Sequence, residues 1–384
     1  MSKQPQKQRQ KAKGGGHKTR RLSPTQRRST GRAQRRDPSE LLKKSPDEKL
    51  DLHEVYDGAS HDLVQGLVVS RRGPVYMVRL GESAPPTVLE VPHGDEEKGE
   101  PNLGHEVVAC IARGEGKAAV VGDLVYFIWE ESDLASGLII AVELRDNALV
   151  RADALGRAPQ VLAANLDRIW VVTALYPPPK SGLIDRYLVA AHANQIEVGI
   201  ILNKIDLFMD EEHVEELEDL LAPYRALELP ILLLSAREHE GIDTLKEALK
   251  RGRSVFVGHS GVGKTSLLNA LVPELDEAVN DVSDSTGKGQ HTTTTSTLYT
   301  LESGGELIDS PGIRGFGLWE MPSEELKDHF VEFLPYASQC RFHNCVHLHE
   351  PECEVIAAVN RDEISIDRYD AYQRIYDDLL DLEG

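Results

Sequence analysis

Gly258-His259-Ser260-Gly261-Val262-Gly263-Lys264-Thr265 is the stretch that decides the fold. It fits G-x-x-x-x-G-K-[ST], and its setting suits that pattern. The apolar run Ser254–Val257 before it reads as a strand, and Ser266–Leu271 after it reads as a helix. Glycines let backbone N–H groups curl around phosphate oxygens, and the helix N-terminus adds positive potential. Gly258 through Ser266 are therefore candidate phosphate contacts. Lys264 can reach the β- and γ-phosphates and Thr265 can hold Mg²⁺, which makes both candidate catalytic residues.

Upstream, strands and helices alternate from Ala163. Strands are expected at Ile169–Val172, Val198–Leu202 and Ile231–Leu234, and helices at Leu183–Ala193, Glu211–Leu221 and Thr244–Leu249. Two more strands follow the phosphate loop, at Thr297–Leu301 and Glu306–Ile308. Such alternation predicts a doubly wound α/β sheet with ligands at the strand ends. Asn203-Lys204-Ile205-Asp206 sits at one such end. A carboxylate at Asp206 accepts hydrogen bonds from guanine N1–H and its amino group, a donor pair that adenine lacks. Asn203 can bond the base edge and Lys204 can cover the ring. Ser235-Ala236 ends the next strand and can offer a backbone N–H to the guanine oxygen. Asp309-Ser310-Pro311-Gly312 follows Glu306–Ile308, with Asp309 a candidate Mg²⁺ residue and the Gly312 N–H a candidate γ-phosphate donor. Between the phosphate loop and Asp309, the Gly-rich segment 287–295 suits a switch, with Thr292 and Thr293 leading as Mg²⁺ ligands. Ile313 stands where many GTPases carry a water-orienting Gln. His291 is the candidate to replace it.

The rest of the chain divides by charge and composition. Its 384 residues suggest two or three domains. Residues 1–45 hold 15 Lys and Arg against 2 Asp and Glu, a net of +13, while the remainder carries −33. A basic arm on an acidic body points to polyanion contact through the arm. With almost no large apolar residue, residues 1–50 cannot bury a core. Short β-like runs at Leu67–Ser70, Val75–Leu80, Val107–Ile111 and Leu124–Ile128, broken by glycines, read as a small barrel. Glu90–Gly104 reads as a loop. No run approaches the ~20 apolar residues of a membrane helix, and no apolar signal core follows Ser2. A cytoplasmic monomer without membrane contact is expected. Three of the four cysteines, Cys340, Cys345 and Cys353, lie close together, which favours a metal over disulfides. By spacing, His343, His347 or His349 could supply a fourth ligand for a closed tetrahedral Zn²⁺ site.

The motif order is informative. Ordinary GTPases run phosphate loop, switch threonine, D-x-x-G, N-K-x-D and Ser-Ala turn, whereas here the last two come first. This order resembles the circularly permuted, ribosome-associated GTPases. The string Cys340-x4-Cys345-x-His347-x5-Cys353 narrows the resemblance to the small-subunit biogenesis family (RsgA/YjeQ), and it selects His347 as the fourth zinc ligand. Ala163–Asp167 and Leu183–Tyr187 also resemble that family's strings. The resemblance runs from about Leu63 to the C-terminus. It implies an OB-fold barrel (61–155), a permuted GTPase domain (156–318) and a mainly helical zinc domain (319–384), preceded by the basic arm (1–60). It also implies GTP and GDP with Mg²⁺, one Zn²⁺, the small ribosomal subunit and its rRNA as partners, and hydrolysis stimulated by the ribosome. Two features depart from the pattern: the arm is long, and residues 61–150 carry a net −8 that weakens an electrostatic RNA grip by the barrel. Gly261 stands where some potassium-activated GTPases carry Asn, so no potassium requirement is inferred. Three other readings exist: an ATP-dependent kinase or transporter ATPase, disfavoured by Asn203–Asp206; a non-catalytic GTP-stabilised RNA-binding scaffold; and a large-subunit assembly GTPase, disfavoured by the barrel and the cysteine pattern.

Overall fold

The computed structural model describes residues 63–81, 107–113, 118–130, 135–152, 159–178, 182–208, 211–273, 275, 296–309 and 321–383. All of them belong to one compact unit of the chain. The basic arm, the loop Glu90–Gly104, the segment 287–295 with His291, Thr292 and Thr293, and Gly312 with Ile313 lie outside them.

Five strands form the barrel: β1 (Val64–Arg72), β2 (Val75–Leu80), β3 (Val107–Ala112), β4 (Leu124–Trp129) and β5 (Gly137–Val142). Their order is β1-β2-β3-β5-β4, and β4 pairs back onto β1 to close the sheet. Residues alternate in burial along β2, and the interior is filled by Val68, Val78, Cys110, Val125, Phe127 and Ile139. A two-stranded unit, β6 (Ala148–Ala152) with β7 (Pro159–Ala164), leads out of the barrel.

The second sheet contains β8 (Arg168–Thr173), β9 (Glu197–Asn203), β10 (Ile231–Leu234), β11 (Arg253–Val257), β12 (Thr297–Thr300) and β13 (Glu306–Asp309). Its order is β10-β9-β8-β11-β13-β12, parallel except for β12. Helices α1 (Leu183–Ala193) and α2 (Glu211–Arg225) cover one face, and α3 (Ile242–Leu249) and α4 (Lys264–Leu271) the other. Strand residues sort accordingly. Ile169, Val171, Val255 and Val257 pack with Ile184 and Tyr187, while Trp170, Val172 and Phe256 pack with Leu245 and Leu267. The expected doubly wound sheet is present.

Two joints tie the barrel to this sheet. Ser70 of β1 pairs with Thr297 of β12, so the two sheets are continuous. Beside that joint, Glu306 takes Arg253 at 2.9 Å and Arg79 of β2. Burial works to raise the Glu306 pKa, but the two guanidiniums outweigh it and hold the carboxyl below its ordinary value.

The C-terminal region is helical: short 3₁₀ turns at Ser323–His329 and Val331–Phe333, then α5 (Leu334–Ala337), α6 (Glu354–Asn360) and α7 (Ile366–Glu383). Buried Phe330, Phe333, Tyr369 and Tyr372 form its core, with the Phe333 and Tyr372 rings 5.0 Å apart and edge to face.

Candidate nucleotide site and metal centre

Because β8, β9, β10, β11 and β13 are parallel, their C-terminal ends share one edge of the sheet. That edge therefore gathers the phosphate loop after Val257, the N-K-x-D run after Leu202, Ser235-Ala236 after Leu234, and Asp309. The loop strand β11 has the earlier β8 on one side and the later β13 on the other. Connections diverge from such a point and leave a crevice between them.

The phosphate loop is built on close approaches that only glycine allows. Gly258 has φ 135°, and a Cβ there would lie 2.2 Å from the Val172 carbonyl oxygen. Gly263 has φ 96°, and a Cβ there would lie 2.2 Å from Asn203 Nδ2. Lys264 opens α4 and donates from Nζ to the carbonyls of Gly258 and His259, both at 2.7 Å. The ammonium thus sits over the loop where phosphate oxygens would replace those carbonyls. Thr265 and Ser266 are exposed on the first turn of α4.

Asn203 is buried and spends both ends of its amide on backbone. Nδ2 donates to Val262 O at 2.9 Å, and Oδ1 accepts the Ala236 N–H at 3.0 Å. It thereby fastens the phosphate loop to the Ser-Ala turn. That is a framing task, and it leaves the Asn203 amide a second N–H and a second lone pair. Asp206 differs. Its Oδ1 accepts the Ser235 hydroxyl at 2.6 Å, and Ser235 Oγ in turn accepts the Glu238 N–H at 3.1 Å. Among the described residues nothing else hydrogen-bonds the Asp206 carboxylate, so Ser235 aims it while leaving acceptor capacity for guanine donors. The sequence assigns Ser235-Ala236 a backbone contact to the guanine oxygen; the aiming of Asp206 by the Ser235 hydroxyl is seen only in the structure. Lys204 holds a left-handed backbone at φ 70° and donates to Tyr176 O at 3.2 Å. The next residue, Pro177, lies 3.6 Å from where a Gly261 Cβ would sit, so the segment after β8 walls the loop. Asp309 ends β13; burial first, then its carboxylate, push the nearby Tyr299 phenol up to about 12.

The metal centre brings four side chains together. Ligand atoms of Cys340, Cys345, His347 and Cys353 all lie within 4.8 Å of one another. His347 Nδ1 is 3.6 Å from Cys340 Sγ and 3.4 Å from Cys353 Sγ, and those two sulfurs are 3.9 Å apart. A tetrahedral zinc ion with ordinary Zn–S and Zn–N bonds has edges of about 3.6–3.8 Å, so the set fits that ion. His343 and His349 are exposed and outside the cluster. Burial foremost, with added repulsion from the other two thiols, pushes Cys345 up to about 12. A cation reverses that cost and takes the thiolates. Supporting groups hold the ligands. The Phe333 ring stands edge-on to His347 at 5.9 Å, and the Tyr369 hydroxyl donates to His347 O at 2.8 Å. The Glu350 carboxylate accepts the N–H groups of Val346, Leu348 and His349 at 2.7–3.2 Å. No helix among the described residues is long and apolar enough to cross a membrane.

The comparisons agree with this geometry. Residues 142–319 match the family model for the RsgA GTPase. The chain is 43% identical over 280 residues to the small ribosomal subunit biogenesis GTPase RsgA of Hahella chejuensis, covering 73% of this chain and 79% of that one. It is 44% identical over 270 residues to the RsgA of Chromohalobacter salexigens, covering 70% and 78%. Among solved structures, YjeQ from Thermotoga maritima matches with a TM-score of 0.63 at 32% identity, covering 83% of this chain and 99% of that one. YloQ, described as a circularly permuted GTPase, matches with a TM-score of 0.61 at 26% identity, covering 86% and 99%. With its strands in permuted order around the phosphate loop and identities above 40% across most of its length, the chain belongs to the RsgA GTPase family.

Proposed function

We propose that this chain binds GTP in the crevice at the sheet edge, hydrolyses it to GDP and phosphate, and acts on the small ribosomal subunit during its assembly. The observation that carries the nucleotide reading is the Asn203 amide. It joins the phosphate loop at Val262 to the Ala236 turn, so the phosphate-binding and base-reading parts form one bonded frame. The subunit reading rests on what the relatives are named for.

In this reading Asp206 pairs with the guanine N1–H and amino donors, and Lys204 packs along the ring. Backbone N–H groups from Gly258 to Ser266 wrap the phosphates. Lys264 exchanges its two carbonyl partners for β- and γ-oxygens. Thr265 and Asp309 hold Mg²⁺, joined by Thr292 or Thr293, and Gly312 contacts the γ-phosphate. Bound there, Mg²⁺ would supply charge neutralisation at the bridging oxygens. With Ile313 unable to orient water, His291 takes that role. Cys340, Cys345, His347 and Cys353 hold a structural Zn²⁺ with no open position. The protein works as a cytoplasmic monomer, with boundaries at about residues 60, 155 and 318 between arm, barrel, GTPase domain and zinc domain.

The test is co-sedimentation with separated 30S and 50S subunits in the presence of a non-hydrolysable GTP analogue, alongside GTP turnover with and without each subunit. The expected result is binding and stimulation by 30S alone. Preference for 50S, or turnover indifferent to both, overturns the subunit assignment.

A further inference from the structure

Helix α1 has two working faces. Ile184, Tyr187, Leu188 and Ala191 follow helical spacing and pack on the sheet, all buried. Asp185, Val189 and His192, at i, i+4 and i+7, form an adjoining stripe. That second stripe meets the C-terminal region. Asp185 Oδ1 accepts Arg368 Nη1 at 2.6 Å, and Arg368 Nε bonds Glu332 at 2.6 Å. Arg368 is 3% exposed and its guanidinium lies 4.4 Å over the Phe330 ring. Burial works against the charged guanidinium, but Glu332 and Asp185 outweigh it and raise the Arg368 pKa. Tyr224 of α2 donates to the same Asp185 oxygen at 3.2 Å. At the helix's far end His192 Nδ1 meets His329 Nδ1 at 2.9 Å; in the first turn, next to Asp185, Arg186 pairs with Asp378 of α7.

The sheet-facing stripe reaches the nucleotide site. Tyr187, 1% exposed, packs in the core cluster that holds Val255 and Val257 of β11, and its phenol oxygen takes the backbone N–H of the next residue, Gly258, the first of the phosphate loop. One residue, Arg186, separates Tyr187 from Asp185, on one rigid helical turn. A buried ion network of this kind has few alternative arrangements, because moving one charge leaves the others unpaired. A displacement of Gly258 is therefore passed to the Arg368 network through α1 and not absorbed locally.

We propose that Tyr187 is a positioning residue for the phosphate loop, and that α1 relays the loop's setting to residues 321–383 through Asp185 and Arg368. The inference rests on the GTPase reading above and names a regulatory path for that same site. Nucleotide state then biases the pose of the C-terminal region, and a partner seated on that region biases nucleotide affinity by the same factor. This path is independent of the 310–320 segment that joins the two regions in sequence.

Hydrogen exchange on the full-length, zinc-loaded protein tests it, with GDP and with a non-hydrolysable GTP analogue at saturation. In the unsubstituted chain, amides of 323–333 and 366–383 are expected to differ in exchange by about fivefold or more between the two states, the low end of allosteric coupling. Tyr187→Phe keeps the ring and removes the hydroxyl. It is expected to weaken both nucleotides by a similar factor while losing, at saturation, most of that exchange difference. Asp185→Asn is expected to do the same; should it fail to fold, Tyr187→Phe decides alone. An undiminished difference in the folded, nucleotide-saturated variants overturns the relay. A wild-type chain that binds no guanine nucleotide defeats the GTPase reading itself, whereas one that binds but shows no exchange difference defeats only the relay.

Discussion

At the scale of single residues, the nucleotide site is made by pairs of side chains more than by solitary ones. Asp206 is held by the Ser235 hydroxyl at one oxygen, which leaves it acceptor capacity. Asp206→Asn keeps the shape but presents an amide donor to guanine donors. GDP affinity should fall by about 2–4 kcal/mol, while ITP, which lacks the amino group, should suffer less; calorimetry with both nucleotides measures this. Gly263→Ala should be as damaging for a different reason. Its Cβ would meet Asn203 Nδ2 at 2.2 Å with φ at 96°, so the frame from Val262 to Ala236 must open. The expected signs are lost nucleotide binding and a lower melting temperature together, whereas Lys264→Ala should lose hydrolysis with the fold intact. Lys264, Thr265 and Asp206 were legible in the sequence because each motif carries its own chemistry. The task of Asn203 was not: both its partners are backbone groups from segments 33 and 59 residues away, and only the strand order brings them together. Asp185 and Tyr187 stood out only as members of the string Leu183–Tyr187; an amphipathic helix needs neither a phenol nor a carboxylate on its buried side, so their tasks had no sign of their own.

Individual elements show where periodicity suffices and where it fails. Helix α1 and strands β2 and β10 have the bounds that their apolar spacing suggests. Strand β5 escapes that reading because Gly137–Val142 is apolar without alternation, a pattern shared with buried helix. The β6–β7 unit escapes it because its strands are short and Pro159 opens the second. In the C-terminal region the four candidate ligands stand on loops and on the N-cap of α6, so a bound metal would take the place of regular structure as the organiser. Elemental analysis should find one zinc per chain. Cys345→Ser should lose it and lower the melting temperature of residues 321–383, because metal binding supplies folding free energy. The Glu306 clamp between barrel and sheet carries a pH dependence of fixed sign. Its folded pKa lies below the unfolded carboxylate value, so the stabilisation is full above about pH 4.5 and disappears as pH falls through the lowered folded value. Glu306→Gln should thus be less stable than the parent at pH 7, and thermal melts should converge as acid protonates the parent's carboxyl.

For the molecule as a whole, the charge division and the strand order matter most. Deleting residues 1–45 removes +13 from a chain whose remainder is −33. Nucleotide binding should survive, while association with 30S weakens and its salt dependence flattens. Every phosphate that the arm no longer neutralises should lower the slope of log affinity against log salt by roughly 0.7–0.9. Equal slopes for the two lengths would make the arm a passive tail. The permutation itself was legible, because motif order is read directly from the chain and each motif names its strand. The continuity of barrel and sheet through Ser70 and Thr297 was not, since one antiparallel pairing leaves no mark on local pattern. The strand order also has a consequence for the newborn chain. Synthesis delivers β8, β9 and β10 first, yet the neighbour that β8 needs on its other side is β11, made about 80 residues later. Until the ribosome releases Arg253–Val257, the apolar rim Ile169–Val172 stands with its peptide groups unmatched, open to any passing strand. The strands that carry Asn203–Asp206 and Ser235-Ala236 are thus made before the strand that carries the Gly258–Thr265 loop exists, and a member of a ribosome-assembly family relies on steady elongation by a ribosome to close its own sheet.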